Sequence, residues 1–150
     1  MGTLFALACV VVAIADGDTL TVRCEAHAEQ PATTLKIRLA EIDAPEKGQA
    51  FGNSSKQHLS DVCFKEQAEV RPLTIDRYGR TVARVICDGI DANVEQVRSG
   101  MAWVFDKYVT DRGLFAVQDE ARRAGLGLWV DREPVAPWEW RKSRVEQTAR

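Results

Sequence analysis

Three polar clusters, each placed at the end of a predicted strand, carry side chains that could do chemistry on a phosphate. They are Asp16-Gly17-Asp18-Thr19, Arg38 with Asp43-Ala44-Pro45-Glu46, and Asp76-Arg77-Tyr78-Gly79-Arg80. Carboxylate and carbonyl oxygens suit a hard cation such as calcium or magnesium. The planar guanidinium of arginine matches the oxygens of a phosphate bidentately. A hard cation, a carboxylate base and two arginines together provide what phosphodiester hydrolysis needs.

Each cluster also has a purely structural interpretation. Asp-Gly-Asp is a common hairpin turn. In Asp43-Ala44-Pro45-Glu46 the proline can simply end the preceding strand. Arg38 could be an exposed strand residue paired with Glu41 or another acid. The chemical interpretation is favoured because all three clusters occur in one chain of 150 residues.

Short strands and terminal helices must position these clusters. A continuous apolar run predicts a strand over residues 10–14, and alternation of apolar and polar residues, bounded by turns, predicts strands over residues 20–24, 35–39, 70–75 and 82–87. Helices are predicted from a cap at Asn53 or Ser54 to residue 63, and over residues 93–100 and 112–124. Asn93 and Gln96 have the spacing of a capping box for the second of these. This pattern indicates a mainly β fold with α, a five-stranded Greek-key barrel of the OB type with about three packed helices.

Length and composition fit one folded domain. The chain is 45% hydrophobic and 28% charged, which excludes a disordered or membrane-spanning chain, and its net charge of −2 is no bulk sign of a polyanion-binding protein. We assign residues 10–130 to the domain and residues 131–150 to a tail rich in Pro, Trp and Arg. In that tail Trp138 and Trp140 are expected to pin the chain onto the body, and Arg141 is expected to be solvated. Residues 1–9 are interpreted as the residual end of a secretion signal or propeptide.

Four cysteines, Cys9, Cys24, Cys63 and Cys87, contain no C-x-x-C pair, which argues against a zinc ribbon. Of three connectivities, the near symmetry of Cys9 and Cys24 about the Asp16-Gly17-Asp18 turn favours a bridge between them and leaves Cys63 with Cys87. Disulfides would place the protein in the periplasm or outside the cell. Four reduced thiols in a cytosolic protein remain the alternative.

The clusters resemble segments of the staphylococcal nuclease (thermonuclease) family, particularly of proteobacterial secreted members. The resemblance rests on residues 14–19, 37–46, 76–80 and 93–102, which agree with the family in order and spacing. It implies an OB-fold enzyme that hydrolyses DNA and RNA as a low-specificity, calcium-dependent endonuclease and leaves 3′-phosphate ends. By this resemblance, Asp18 and Asp43 would bind calcium through their carboxylates, and Ala44 would bind it through its main-chain carbonyl. Glu46 would be the general base that deprotonates the attacking water.

The same resemblance assigns residues to the substrate. Arg38 and Arg80 would clamp the phosphate and stabilise the transition state. The nucleotide would be contacted by Arg77, Tyr78 and Tyr108. Asp106 stands where the family prototype has a second base-flanking tyrosine, which should change substrate affinity or preference.

Two other functions stay open at this point. One is a noncatalytic OB-fold module that binds nucleic acid or protein, and the other is an exported structural domain held by two disulfides. The enzyme interpretation is preferred because the carboxylates and arginines would otherwise have no purpose. We expect a monomer with DNA and RNA as its partners, with no stable protein partner and no membrane association.

Overall fold

The structure is a computed structural model that describes residues 6–27, 29–105 and 109–148. Within these residues the strands are β1 (Leu7–Asp16), β2 (Thr19–Cys24), β3 (Thr33–Leu39), β4 (Ile42–Asp43), β5 (Gln67–Ile75), β6 (Thr81–Cys87), β7 (Ile90–Asp91) and β8 (Trp103–Val104). The helices are α1 (Gly52–Cys63), α2 (Ala92–Arg98), α3 (Gly113–Arg123) and α4 (Pro137–Thr148), with a short 3₁₀ helix over Gly127–Val130.

The five longer strands close into a barrel. They pair in the order β3-β2-β1-β5-β6, and a parallel pairing of β3 with β6 joins the two ends. Ile37 pairs with Thr81 and Arg38 with Val82 at this closure. The predicted OB-type barrel is therefore confirmed, and each predicted strand lies within one of these five strands. The first strand begins at Leu7, three residues earlier than predicted and within the segment 1–9 that we set apart from the domain.

The core lies inside the barrel and under α1 and α2. Val11, Leu20, Ile37 and Val85 are fully buried, and each alternates along its strand with a less buried neighbour. A smaller cluster forms around Leu128 and Trp129 beside Trp103. This packing makes the barrel a rigid frame for the loops at its ends.

Two helix starts differ from the prediction. The cap of α1 is Phe51, in the left-handed region at φ 69°, and no side chain caps the helix. The cap of α2 is Asp91, whose side chain accepts a hydrogen bond from the N–H of Val94 at 3.1 Å. Asn93 and Gln96 therefore do not form a capping box, because both amides are buried and are used in tertiary hydrogen bonds.

Most of the tail is helical rather than irregular. Residues 137–148 form α4, a fourth helix that the sequence pattern did not predict. Trp138 packs against Trp103 and Phe105 with ring centroids 5.6 Å apart in each pair. The expectation that Trp138 pins the tail to the body is therefore confirmed. Among the described residues no helix is long and apolar enough to cross a membrane.

Both favoured disulfides are present. Cys9 and Cys24 are cross-strand partners on β1 and β2, with Cα atoms 4.0 Å apart. Cys63 at the end of α1 is bonded to Cys87 at the end of β6, with Cα atoms 5.2 Å apart. The second bridge ties a helix to the barrel. Because all four cysteines are bonded, the alternative of four reduced thiols does not describe this structure.

Removing the bridge between Cys63 and Cys87 is expected to lower the free energy of unfolding by about 3 kcal/mol. The reason is that the bridge closes a loop with a sequence separation of 24 residues and so restricts the unfolded chain. Urea unfolding of the Cys63→Ala/Cys87→Ala variant measures the change. An unchanged midpoint and slope relative to the wild type would contradict the prediction.

Candidate active site

The first acidic turn is held in place by close packing against α1. A Cβ atom on Gly17 would lie 1.8 Å from the Ser55 hydroxyl, so only glycine fits there. The Gly17 carbonyl accepts a hydrogen bond from the buried Gln96 amide at 2.7 Å, and Gln96 also donates to the Ser55 carbonyl at 3.1 Å. These contacts fix Asp18 at the mouth of the barrel.

The second acidic turn is held by a buried asparagine. Asn93 donates to the carbonyls of Ala40 and Ala83 at 2.9 and 3.2 Å, and its own carbonyl accepts from the N–H of Val85 at 3.1 Å. Glu41 follows in the left-handed region at φ 70°, an unfavourable conformation for a residue with a side chain. The chain thereby reverses and directs β4, with Asp43, back towards the mouth.

The Glu41 carboxylate anchors this reversal to two other elements. It accepts hydrogen bonds from Arg84 at 2.8 Å and from the backbone N–H groups of Thr110 and Asp111, both at 2.8 Å. Glu41 therefore pairs with Arg84 and not with Arg38, whose acidic partners are Asp18 and Asp43. Burial acts to raise the pKa of Glu41, but the N–H groups of Asp111 and Thr110 and the charge of Arg84 outweigh it and lower this pKa.

We expect Glu41→Gln to lower the free energy of unfolding at pH 7 by about 2 kcal/mol, because an amide NH₂ then faces buried donors. A carboxylate whose pKa is depressed in the folded state stabilises above its unfolded pKa and loses that contribution as the pH falls through the folded value. The wild type should therefore lose stability faster than the variant below pH 4.5, the ordinary pKa of this group. Urea unfolding at several pH values, with Glu69→Gln as an exposed control, measures both effects. Equal pH slopes in the wild type and Glu41→Gln would contradict the expectation.

One guanidinium connects the two acidic turns. Arg38 Nη2 lies 3.6 Å from Asp18 Oδ2 and 3.4 Å from Asp43 Oδ1. Its Nη1 donates to the carbonyls of Leu39 and Ile42 at 2.7 and 2.9 Å, which fixes the plane of the group. Asp18 Oδ2 also accepts from the N–H of Ala44 at 2.8 Å. The predicted cation ligands and one of the predicted arginines are thus brought together.

The barrel closure brings the second arginine to the same end. Arg80 immediately precedes Thr81, which pairs with Ile37, the neighbour of Arg38. Asp76 accepts from Arg80 Nε at 2.8 Å and from the Arg80 N–H at 3.0 Å. Although burial acts to raise the pKa of Asp76, these bonds outweigh it and lower this pKa. Asp76 therefore orients Arg80 through its Nε and leaves the terminal nitrogens, among the described residues, without a hydrogen-bond partner.

The remaining predicted contacts lie on the same loop or outside the described residues. Tyr78 is 68% exposed, and the guanidinium of Arg77 donates to its hydroxyl at 2.8 Å and lies 5.0 Å from its ring centroid. An exposed ring of this kind offers a face on which a base can stack. Tyr108 and Asp106 fall in the segment 106–108, which the structure does not describe.

A third arginine enters the site from α4, and sequence reasoning missed it. Arg141 Nη1 donates to Glu46 Oε1 at 2.6 Å and to Asp43 Oδ1 at 3.1 Å, and its Nη2 donates to Asp43 Oδ2 at 2.6 Å. Arg141 is therefore not a solvated tail residue. The sequence signal for this position was the pair Trp138 and Trp140 just before Arg141. Tryptophans that anchor the tail also fix the position of the arginine that follows them.

The acidic side chains influence one another strongly. Burial raises the pKa of Asp43, which is only 1% exposed, and the charge of Asp18 adds to this, although Arg141 and Arg38 act in the opposite direction. Burial and the charges of Asp18 and Glu46 likewise raise the pKa of Asp16. Such a concentration of negative charge is costly unless cations compensate it.

The side-chain donors at the mouth of the barrel suit a hard cation. Asp18, Asp43 and Glu46 provide carboxylate oxygens, the ligands that a hard cation prefers, and the N–H of Ala44 donates to Asp18. The described residues contain no group of three His, Cys, Asp or Glu side chains already arranged around one point. The chemistry of these carboxylates therefore fits calcium or magnesium. The guanidinium of Arg141 lies between two of them, Asp43 and Glu46.

An OB-type barrel whose mouth gathers carboxylates and arginines defines a protein that acts on phosphate esters. Comparison with known proteins agrees with that class. Residues 36–131 match the family described as "Staphylococcal nuclease homologue". The chain belongs to the staphylococcal nuclease family and is a nuclease, that is, a hydrolase. The resemblance drawn from the four motifs is confirmed.

Individual relatives cover most of the chain. An "Uncharacterized endonuclease" of Haemophilus influenzae is 42% identical over 134 residues, which span 89% of this chain and 72% of that protein. A "Micrococcal nuclease" of Shigella flexneri is 38% identical over 149 residues, which span 92% and 82%. An "Uncharacterized endonuclease" of Escherichia coli O157:H7 is 41% identical over 132 residues, which span 87% and 82%.

Proposed function

We propose that this nuclease is a calcium-dependent endonuclease of low sequence specificity that hydrolyses DNA and RNA and leaves 3′-phosphate ends. The observation that carries the proposal is the meeting of Asp18 and Asp43 with Arg38 at the mouth of the barrel, where the guanidinium of Arg141 links Asp43 to Glu46. Relatives named as endonucleases and as a micrococcal nuclease support it. The two disulfides further support a periplasmic or secreted location.

Asp18 and Asp43 would hold the cation with their carboxylates, and Ala44 with its main-chain carbonyl. When bound, the cation supplies positive charge to the scissile phosphate and orients the attacking water. Arg38 is preorganised for the same purpose, because two backbone carbonyls fix its guanidinium. Preorganised donors of this kind stabilise developing charge without having to rearrange during the reaction.

Glu46 accepts a proton from the attacking water as the new phosphorus–oxygen bond forms. The bond from phosphorus to the 5′ oxygen breaks, and that oxygen takes up a proton to become a hydroxyl. Arg38 and Arg80 stabilise the charge on the phosphate oxygens at the intermediate stage. The products are a 3′-phosphate on one strand and a 5′-hydroxyl on the other, so that one water is consumed for each bond cleaved.

Substrate is held by contacts that do not read sequence. Arg77 offers a charge to the backbone, and exposed Tyr78 offers a ring to a base. Neither contact distinguishes DNA from RNA, because neither recognises the 2′-hydroxyl. Low specificity and activity on both polymers follow from this surface.

The test is incubation of the purified protein with circular single-stranded DNA and, separately, with RNA in the presence of calcium. Cleavage of the circle establishes internal cutting, because a circle has no end from which an exonuclease can start. The products should resist extension by a polymerase until a phosphatase removes the 3′-phosphate. If the protein binds the circle but never cuts it, the noncatalytic binding module is the better assignment. Products with free 3′-hydroxyls would contradict the proposed bond cleavage.

A further inference from the structure

The guanidinium of Arg141 lies between the carboxylates of Asp43 and Glu46. Both oxygens of Asp43 accept from it, at 2.6 and 3.1 Å, and one oxygen of Glu46 accepts from it at 2.6 Å. This is a bidentate pairing with one carboxylate, a strong arrangement for an arginine, and it extends to a second carboxylate. It joins a helix near the end of the chain to a turn that lies 95 to 98 residues earlier.

The same oxygens have a different task in the proposed function. Asp43 is needed as a ligand of the cation, and Glu46 is needed to accept a proton from water. A guanidinium and a divalent cation compete for these carboxylates, because both are positive and repel each other at close range. While Arg141 is in this position, its guanidinium therefore pairs with both a proposed cation ligand, Asp43, and the proposed base, Glu46.

We propose that Arg141 is an internal competitor of the catalytic cation, which pairs with Asp43 and Glu46 in the cation-free protein and withdraws when the cation binds. The inference rests on the proposed function, since it concerns the same carboxylates. It adds a residue that sets the affinity for the cation. It also explains how a carboxylate as deeply buried as Asp43 stays compensated in the cation-free protein, given that Arg38 reaches it only at 3.4 Å.

The anchoring of α4 allows this withdrawal without undocking of the helix. Trp138 packs on Trp103 and Phe105, and the Gln49 side chain donates to the Val135 carbonyl at 2.7 Å. These contacts do not involve the guanidinium. The Arg141 side chain is 40% exposed, so rotation about its own bonds can carry the charged group into solvent.

Calorimetric titration of calcium into the full chain, without nucleic acid, tests the proposal. Arg141→Gln is expected to bind calcium about tenfold more tightly than the wild type, a modest change because the guanidinium is partly exposed. Lys142→Gln makes the same change in net charge on an exposed neighbour in α4 and should leave the affinity close to that of the wild type. Arg141→Lys, which keeps the charge but cannot pair bidentately, should lie between them.

A second readout follows the arginine itself. In protein labelled with ¹⁵N-arginine, the Nε–H resonance of Arg141, assigned by its absence in Arg141→Gln, should move when calcium is added. Equal calcium affinity in the wild type, Arg141→Gln and Arg141→Lys, with no movement of that resonance, would overturn the competitor and leave the proposed function intact. If calcium binds to none of these proteins, the proposed calcium dependence and the competitor are both wrong.

Discussion

Replacing Glu46 with glutamine is expected to slow DNA cleavage by about 10²- to 10⁴-fold, the usual contribution of a general base. The amide keeps the size of the side chain but cannot accept the proton of the attacking water. It also keeps a carbonyl oxygen for Arg141, which now donates to Glu46 Oε1 at 2.6 Å, so the fold should not change. The measurement is the initial rate of cleavage of single-stranded DNA with calcium in excess.

The matched control for this prediction is Glu69→Gln, which makes the same chemical change on the exposed side of β5. In the part of the chain that the structure describes, Glu69 pairs with Arg71 alone, at 2.9 Å. Its rate should be close to that of the wild type. Comparable rates for Glu46→Gln and Glu69→Gln would show that Glu46 does not activate the water.

Replacing Arg80 with alanine is expected to lower kcat by about 10²- to 10³-fold, because a preorganised donor to the transition state is lost. Asp76 holds this guanidinium through Nε at 2.8 Å and so fixes its orientation. Because the charge on the phosphate grows during the reaction, the loss should fall on kcat more than on KM. Steady-state kinetics on a short single-stranded substrate separate the two constants.

Arg77→Ala is the matched control for Arg80, since it removes a cation from the same exposed loop. Arg77 contacts the ring and hydroxyl of Tyr78 and is proposed to meet the substrate rather than the reacting phosphate. Its loss should raise KM and leave kcat nearly unchanged. If the two variants have the same kinetic defect, Arg80 has no special part in catalysis.

Much of the barrel and of its acidic mouth could be predicted from local pattern. Strand alternation placed Ile37 in the core and Arg38 outside it, and turn residues placed Asp18 and Asp43 at strand ends. Arg38 and Arg80 come together only through the parallel closure of β3 with β6. That pairing has no local signal and was supplied by the family resemblance.

The burial of Asn93 and Gln96 could not be predicted, because the same residues also fit a different local structure. Asn93 and Gln96 have the spacing of a capping box, yet tertiary hydrogen bonds to Ala40, Ala83 and Gly17 place both amides in the interior. The local pattern could not distinguish helix capping from tertiary hydrogen bonding, since either one gives the side-chain amides hydrogen-bond partners. Only the packed barrel supplies carbonyls at the right distance.

The helix α4 was missed for a different reason. It is polar on most of its surface and has no apolar stripe, so periodicity gave no sign of it. Its docking depends on Trp138 against Trp103 and Phe105, contacts between residues far apart in the chain. The position of Arg141 in the site follows from that docking and was therefore hidden as well.

The central claim is that one cation-dependent site at the mouth of this barrel cleaves nucleic acid. Its most direct test is a single reaction in which the purified wild type meets single-stranded DNA first with a chelator and then with calcium added in excess. We expect no cleavage in the first stage and cleavage that begins when free calcium appears. Cleavage at the same rate in both stages, or none in either, would contradict it.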